Sequence, residues 1–385
     1  MKKVAAILIF FSCICAIFFL AHDLKRIKKK LHSFEKLAAG SLKTTEQLAQ
    51  AAYMRWENGL PEKPLPQQLQ KISFADAQGI VLSVQNIDIP GVFAPYNGSL
   101  IQYEKRNYLF FRYDIPLINN GRIPFHTYIG CVEMDARFQP TTPFFTLDTQ
   151  SSFSEDPRAC IIDDQCYLVY NDRVEAHRKK RGVQLGIVDL ENQKLDLVCR
   201  FETRKFAIEK NWMLFAPDDK NLHFIYTVSP YEVCKISSSN QLIEVVAENQ
   251  RTQLNTADWE DTWGVPRGGT PPVLIDGEYL VFFHSMFQDN FGFNWYVMGA
   301  YTFEPFSPYR IKKISPYPIL FKGIFSSSHR NTANPKIRSI YPAGFISGQQ
   351  NGKETIYLSC GENDSAIKIV TFDKEALLGS LKPLK

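Results

Sequence analysis

The chain has 385 residues, 13% of them aromatic, with 22 prolines and 21 glycines, a balance that suits a β-rich, turn-rich globule better than a helical one. Its formal net charge is only +4, and much of that sits near the N-terminus, so no nucleic-acid partner is indicated. The eight cysteines form no CxxC pair and lie mostly in apolar runs, which argues for buried thiols and against a zinc site.

The N-terminal Met-Lys-Lys is followed by an apolar run from Val4 to Ala21. At the helical rise this run spans roughly 27 Å, enough for a bilayer core. No convincing cleavage site precedes Asp23, and Phe11-Ser12-Cys13 is a poor lipoprotein signal, so residues 1–30 are expected to form an uncleaved single-pass membrane anchor. Lys25, Arg26, Lys28, Lys29 and Lys30 outweigh Lys2 and Lys3, which favours a cytoplasmic body, with an exported body as the alternative. Residues 31–71 carry a helical pattern (Leu37, Leu42, Leu48) that ends in Pro61, Pro64 and Pro66, and they are expected to form a short helical stalk or linker.

From residue 72 to 385 the chain reads as short strands separated by turns. The pattern is sharpest from Arg267 to His284: a Gly268-Gly269 turn, an apolar strand, the turn pair Asp276-Gly277 and an aromatic strand. The same order recurs at Tyr96–Arg112, Ser154–Tyr170, Glu209–Tyr226 and Tyr341–Asp364. The copies are spaced by roughly 55 to 75 residues, the signature of a β-propeller, and five copies predict five blades. Runs such as Gly182–Val188 and Lys194–Cys199 would supply outer strands. The expected fold is therefore all-β, a five-bladed β-propeller behind a transmembrane helix and a helical stalk.

In a propeller, equivalent positions surround one axis. Asn97, Arg112, Glu155, Asp156, Arg158, Lys210, Asn211, Arg267, Thr270, His284 and Asp364 should then meet at one mouth. Charges gathered at a concave, partly desolvated mouth are used or paired, so a site is expected there. Trp259, Trp263 and Trp295 flank the fourth copy as sugar platforms or as packing. His177–Arg181 reads as a solvated basic loop.

The combination Asn97-Gly-Ser, Phe111-Arg112, Glu155-Asp-Pro-Arg158, Lys210-Asn211, Gly268-Gly-Thr-Pro-Pro272, His284 and Gly361-Glu-Asn-Asp364 resembles glycoside hydrolase family 130. That family holds β-mannoside phosphorylases and β-mannosidases and is related to β-mannosyltransferases. The resemblance runs from about residue 75 to 380. It implies an inverting enzyme acting on β-mannosides, by phosphorolysis or its reverse. Alternatives are a hydrolytic β-mannosidase, a β-mannosyltransferase, or a non-catalytic glycan-binding propeller. The resemblance makes Asp156 the general acid and Lys210 and His284 phosphate contacts. Asn97, Arg112, Glu155, Arg158, Asn211, Gly269, Thr270 and Asp364 would hold substrate. A third phosphate contact would come from Arg200 or Arg204. No metal or cofactor is implied beyond inorganic phosphate as co-substrate, and the partner is an oligosaccharide or glycoconjugate. The chain departs from the family pattern at Gly98, Ser285 and Glu362-Asn363, which bears on sugar specificity.

Overall fold

The structure is a computed structural model. It describes residues 63–116, 125–174, 180–201, 206–217, 221–237, 242–244, 257–327 and 336–384. All of these but Pro116 belong to one compact unit, Arg55–Ile115 with Phe125–Lys385.

Short helices α1 (Gln67–Gln70), α2 (Ala257–Trp263) and α3 (Lys374–Ser380) decorate an otherwise all-β chain. After β1 (Val81–Ile87) come two four-stranded antiparallel sheets. The first contains β2 (Tyr96–Tyr103), β3 (Arg106–Pro116), β4 (Phe125–Met134) and β5 (Phe145–Thr146). The second contains β6 (Glu155–Ile162), β7 (Gln165–Arg173), β8 (Arg181–Asp189) and β9 (Lys194–Arg200). A third follows with β10 (Met213–Phe215), β11 (His223–Thr227), β12 (Glu232–Ile236) and β13 (Leu242–Glu244).

The last sheet has ten strands and joins two sequence repeats. The fourth repeat supplies β14 (Arg267–Gly268), β15 (Val273–Ile275), β16 (Glu278–Gln288), β17 (Asn294–Phe303) and β18 (Ile311–Ile314). The fifth supplies β19 (Ile337–Gln350), β20 (Lys353–Glu362) and β21 (Ala366–Asp373), and β22 (Lys382–Pro383) pairs with β18. β17 and β19 pair in parallel over three residues, which merges the two repeats. The fifth repeat gains its outermost strand from the front of the described chain, because β1 pairs antiparallel with β21.

The second strand of each repeat is the most deeply buried, as its aromatic and branched residues require when both faces are covered. Phe110, Phe111, Leu168, Phe224, Phe282, Phe283 and Leu358 are all fully buried. Each core is shared between neighbouring repeats. Phe110 and Ile129 pack with Leu168 and Tyr170, while Val169 and Val183 pack with Trp212 and Phe224. Phe215 and Ile225 pack with residues of the fourth and fifth repeats, and Leu109 and Phe111 pack with Ile367 and Ile369, linking the fifth repeat to the first.

The expected turn between β15 and β16 is present. Asp276 and Gly277 both take positive φ, 50° and 82°, as a two-residue hairpin turn demands.

The expected membrane anchor is corrected. Among the described residues no helix is long and apolar enough to cross a membrane. The run Val4 to Ala21 and the stalk up to residue 62 lie outside the described residues, so neither the single-pass localisation nor the orientation derived from it enters the account of the molecule. Within the stalk's last residues only α1, one turn long, is helical.

Candidate active site

The entry to the first strand follows one local rule in the first three repeats. Asn97, Asp156 and Asn211 stand in the left-handed region, with φ of 50°, 55° and 67°, a conformation that Asn and Asp tolerate better than most side chains. Asn97 and Asp156 sit in register shifts, between Tyr96 and Ser99 in β2 and between Glu155 and Arg158 in β6. Such bulges bend the strand and re-aim a side chain. A residue at the entry to the first strand pairs with the neighbouring strand in four repeats. Tyr96 lies opposite Arg112, Glu155 opposite Asn171, Arg267 opposite His284 and Tyr341 opposite Gly361. Side chains from four repeats are thereby held at equivalent positions.

Asp156 is 7% exposed. Its Oδ1 accepts from Asn97 Nδ2 at 2.8 Å and from Arg112 Nη1 at 3.4 Å. The Arg112 guanidinium also reaches Glu155 at 3.2 Å and Asp114 at 3.3 Å, and it stacks over the Tyr96 ring. Glu155 is held a second time by Arg181, at 2.6 Å. These contacts divide the two carboxyls. Burial pushes Asp156 up, but Arg112, Lys210, Arg158 and the Asn97 hydrogen bond together hold it below the usual carboxylate range. Burial dominates at Glu155, and with the neighbouring Asp156 charge it outweighs Arg112 and Arg181, so that carboxyl is raised. Of the two carboxyls, Asp156 is the more readily ionised.

Beside them is a cationic corner. His284 is 2% exposed on β16, its ring 4.7 Å from that of Tyr341 and 6.2 Å from that of Tyr296. Its Nδ1 has no hydrogen-bond partner among the described residues. Burial, then Arg158, Arg267 and Lys210, hold its pKa well below the ordinary value, so the imidazole is neutral and its N–H is a donor. Lys210 is exposed and Arg267 half-buried, and neither has a hydrogen-bond or ion-pair partner among the described residues.

Arg158 has a different place. It is 1% exposed, and its donors are taken by the Gly269 carbonyl at 2.6 Å, Asn211 Oδ1 at 3.0 Å, the Asp156 carbonyl at 3.3 Å and the Tyr341 hydroxyl. Tyr341 also donates to Asn211 Oδ1 at 2.8 Å. Arg158, Asn211 and Gly269, expected to hold substrate, are thus engaged with one another and with Tyr341. Thr270 is fully buried and exchanges two hydrogen bonds with the Phe282 backbone. The Gly268-Gly269 turn permits close approach of the protein to itself. A Cβ at Gly268 would lie 2.0 Å from the Asn211 carbonyl oxygen, and one at Gly269 2.2 Å from that of Phe282.

Asp364 stands half-buried with φ 50° in the turn after β20, where its charge reaches Tyr96. Its neighbours serve the scaffold. Glu362 accepts from the backbone N–H groups of Phe325 and Ser327 and pairs with Lys368 at 3.3 Å, while Asn363 bonds the carbonyls of the same turn. Ser285 accepts from the Trp259 indole at 3.0 Å. Trp259, Trp263 and Trp295 are buried against Phe283, Phe287 and Phe325, so their role is packing. Arg200 lies on β9 beside Tyr170, and Arg204 lies outside the described residues.

Sequence reasoning missed Arg181 and Tyr341. Arg181 was assigned to a solvated loop but opens β8 and grips Glu155. Tyr341 carries a signal that was legible: it opens the fifth copy of the motif, as Tyr96 opens the first.

Solved structures match this architecture. A mannose phosphorylase from Leishmania mexicana, solved with phosphate ion, aligns with a TM-score of 0.52 at 13% identity, over 81% of this chain and 94% of its own. The chain has the fold of the mannoside phosphorylases. A β-1,2-mannobiose phosphorylase from Listeria innocua aligns equally well, TM-score 0.52 at 13% identity over 80% of this chain and 98% of its own. So does a GDP-Man-dependent mannosyltransferase from L. mexicana, TM-score 0.52 at 11% identity over 78% and 91%. These are the kinds of protein the motif resemblance names. No family model and no curated protein matches the sequence.

Proposed function

We propose that the chain is an inverting enzyme of β-mannosides that works by phosphorolysis or its reverse, with Asp156 moving the proton. The observation that carries this reading is a buried Asp156, held below the usual carboxylate range, beside Lys210 and Arg267, two cations without a hydrogen-bond or ion-pair partner among the described residues. Lys210, Arg267 and the His284 N–H form a donor set suited to phosphate, which needs fixed cations and no protein base. Arg267 is the third contact in place of Arg200. A hydrolase of this type would need a carboxylate free to activate water, and Glu155 is clamped by two arginines.

An ionised Asp156 suits the synthetic direction. The acceptor hydroxyl gives its proton to Asp156 while its oxygen bonds the anomeric carbon. The bond from that carbon to the phosphate oxygen breaks on the opposite face, and phosphate leaves with the electron pair into the cationic corner. Run backwards, the same carboxyl returns the proton to the departing sugar.

The sheet arrangement supports the finer fold reading as well. Ser99 Oγ donates to the Ala343 carbonyl and accepts from Ala159 N–H, and Gly361 packs on Asn97. With Arg158 bridging to Asn211, Gly269 and Tyr341, the first strands touch in a cycle, as five blades with β1 closing the fifth would do. To test the function, the protein is incubated with β-linked manno-oligosaccharides with and without inorganic phosphate. Mannose 1-phosphate formed only with phosphate is the expected result, and free mannose released equally without phosphate would overturn it.

A further inference from the structure

A cavity of about 440 Å³ opens beside the second sheet, against the segment that leads from β5 into β6. That volume lies in the range of small-molecule sites, roughly 300–1,000 Å³. One wall is built by register: Tyr170 on β7 pairs with Gln184 on β8, and Gln184 with Arg200 on β9, so three polar side chains line up on one face. Gln184 is 6% exposed, and its Oε1 has no hydrogen-bond donor among the described residues. Asp172 adds a carboxylate fixed by Ser151 Oγ at 2.7 Å, Ser154 Oγ at 3.1 Å and the Arg173 N–H at 2.6 Å. Phe201 contributes an apolar surface. Tyr170 and Asp172 alternate along β7 with Asn171, the partner of Glu155, and so lie on the other face of the sheet from Glu155.

The lining selects a chemistry. An unpartnered buried acceptor next to a carboxylate calls for O–H donors. A phosphate would set its negative charge against the Asp172 carboxylate. A neutral ring bearing several hydroxyls and one apolar face meets every group. We propose that this cavity is a second carbohydrate site, binding a single neutral sugar ring through Gln184, Tyr170 and Asp172. The proposal goes beyond the reaction above and does not depend on it.

Val174 lines the cavity, and its methyl groups report occupancy by NMR in a methyl-labelled full chain. Free mannose and glucose are titrated into the wild type and into Asp156→Asn, with inorganic phosphate as a control. The expected result is a saturable Val174 shift with sugar in both proteins and none with phosphate. Gln184→Met, which keeps the volume and removes the acceptor, should weaken it about tenfold, and Tyr170→Phe should weaken it less. Lys210→Met should leave it unchanged. A Val174 signal that no sugar moves, that phosphate moves instead, or that both cavity variants leave as in wild type would overturn the proposal. A chain without phosphorolytic activity would still give the Val174 titration, so the two readings fail separately.

Discussion

Arg158 and the Lys210–Arg267–His284 corner lie within electrostatic reach of one another, yet the protein uses them in opposite ways. Arg158 is enclosed, and four protein acceptors from three other repeats and its own strand take its donors. At the corner, Lys210 and Arg267 have no hydrogen-bond or ion-pair partner among the described residues, and the buried His284 Nδ1 has none there either. A saturated guanidinium is a scaffold part, because removing it strands buried acceptors. An unsaturated corner is a binding part, because its partner comes from outside. Residue type does not separate the two roles; satisfaction of hydrogen-bonding capacity does.

The contrast breaks most visibly by substitution. Asp156→Asn should lower turnover by about 10²–10⁴-fold, the usual range for a lost proton-transfer group, with the melting temperature little changed. Arg158→Met should act on the fold, destabilising by about 3–5 kcal/mol in urea denaturation, as breaking a buried charged network does. If it weakened phosphate binding and left stability intact, Arg158 would belong with the corner. Lys210→Met should do the reverse, raising the KM for phosphate by about tenfold or more at unchanged stability.

The smallest expected effect concerns pH. Burial, Arg158, Arg267 and Lys210 depress the folded pKa of His284, so below the ordinary value of 6.5 the unfolded chain takes up a proton that the folded chain refuses. The contribution is fully present above that pH and is lost on acidification, at no more than about 1.4 kcal/mol per pH unit. His284→Gln should flatten this limb of the stability profile between pH 6.5 and the folded pKa, and an unchanged slope would mean that His284 is protonated in the folded state.

Much of this was legible in the sequence because it is local and repeated. The aromatic second strands, the Asp276-Gly277 turn and the polar residue at each strand entry recur with the repeat, and Asn97, Arg112 and Asp156 come together as that repetition implies. The rest depends on pairings between residues far apart in the chain. Nothing near Arg158 announces that Gly269 and Tyr341 will take its donors. The glycine pair after Arg267 resembles a ligand-binding turn until the carbonyls of Asn211 and Phe282 fill the space. β1 carries no mark of its pairing with β21 at the other end of the described chain.

The central claim, an ionised Asp156 facing a phosphate corner, is tested most directly in the synthetic direction. Wild type and Asp156→Asn are given α-mannose 1-phosphate and a mannose acceptor, and released phosphate and the anomeric configuration of the product are followed by NMR. The account predicts acceptor-dependent phosphate release and a β-mannoside from the wild type alone. Release that survives Asp156→Asn, or an α-linked product, would contradict it.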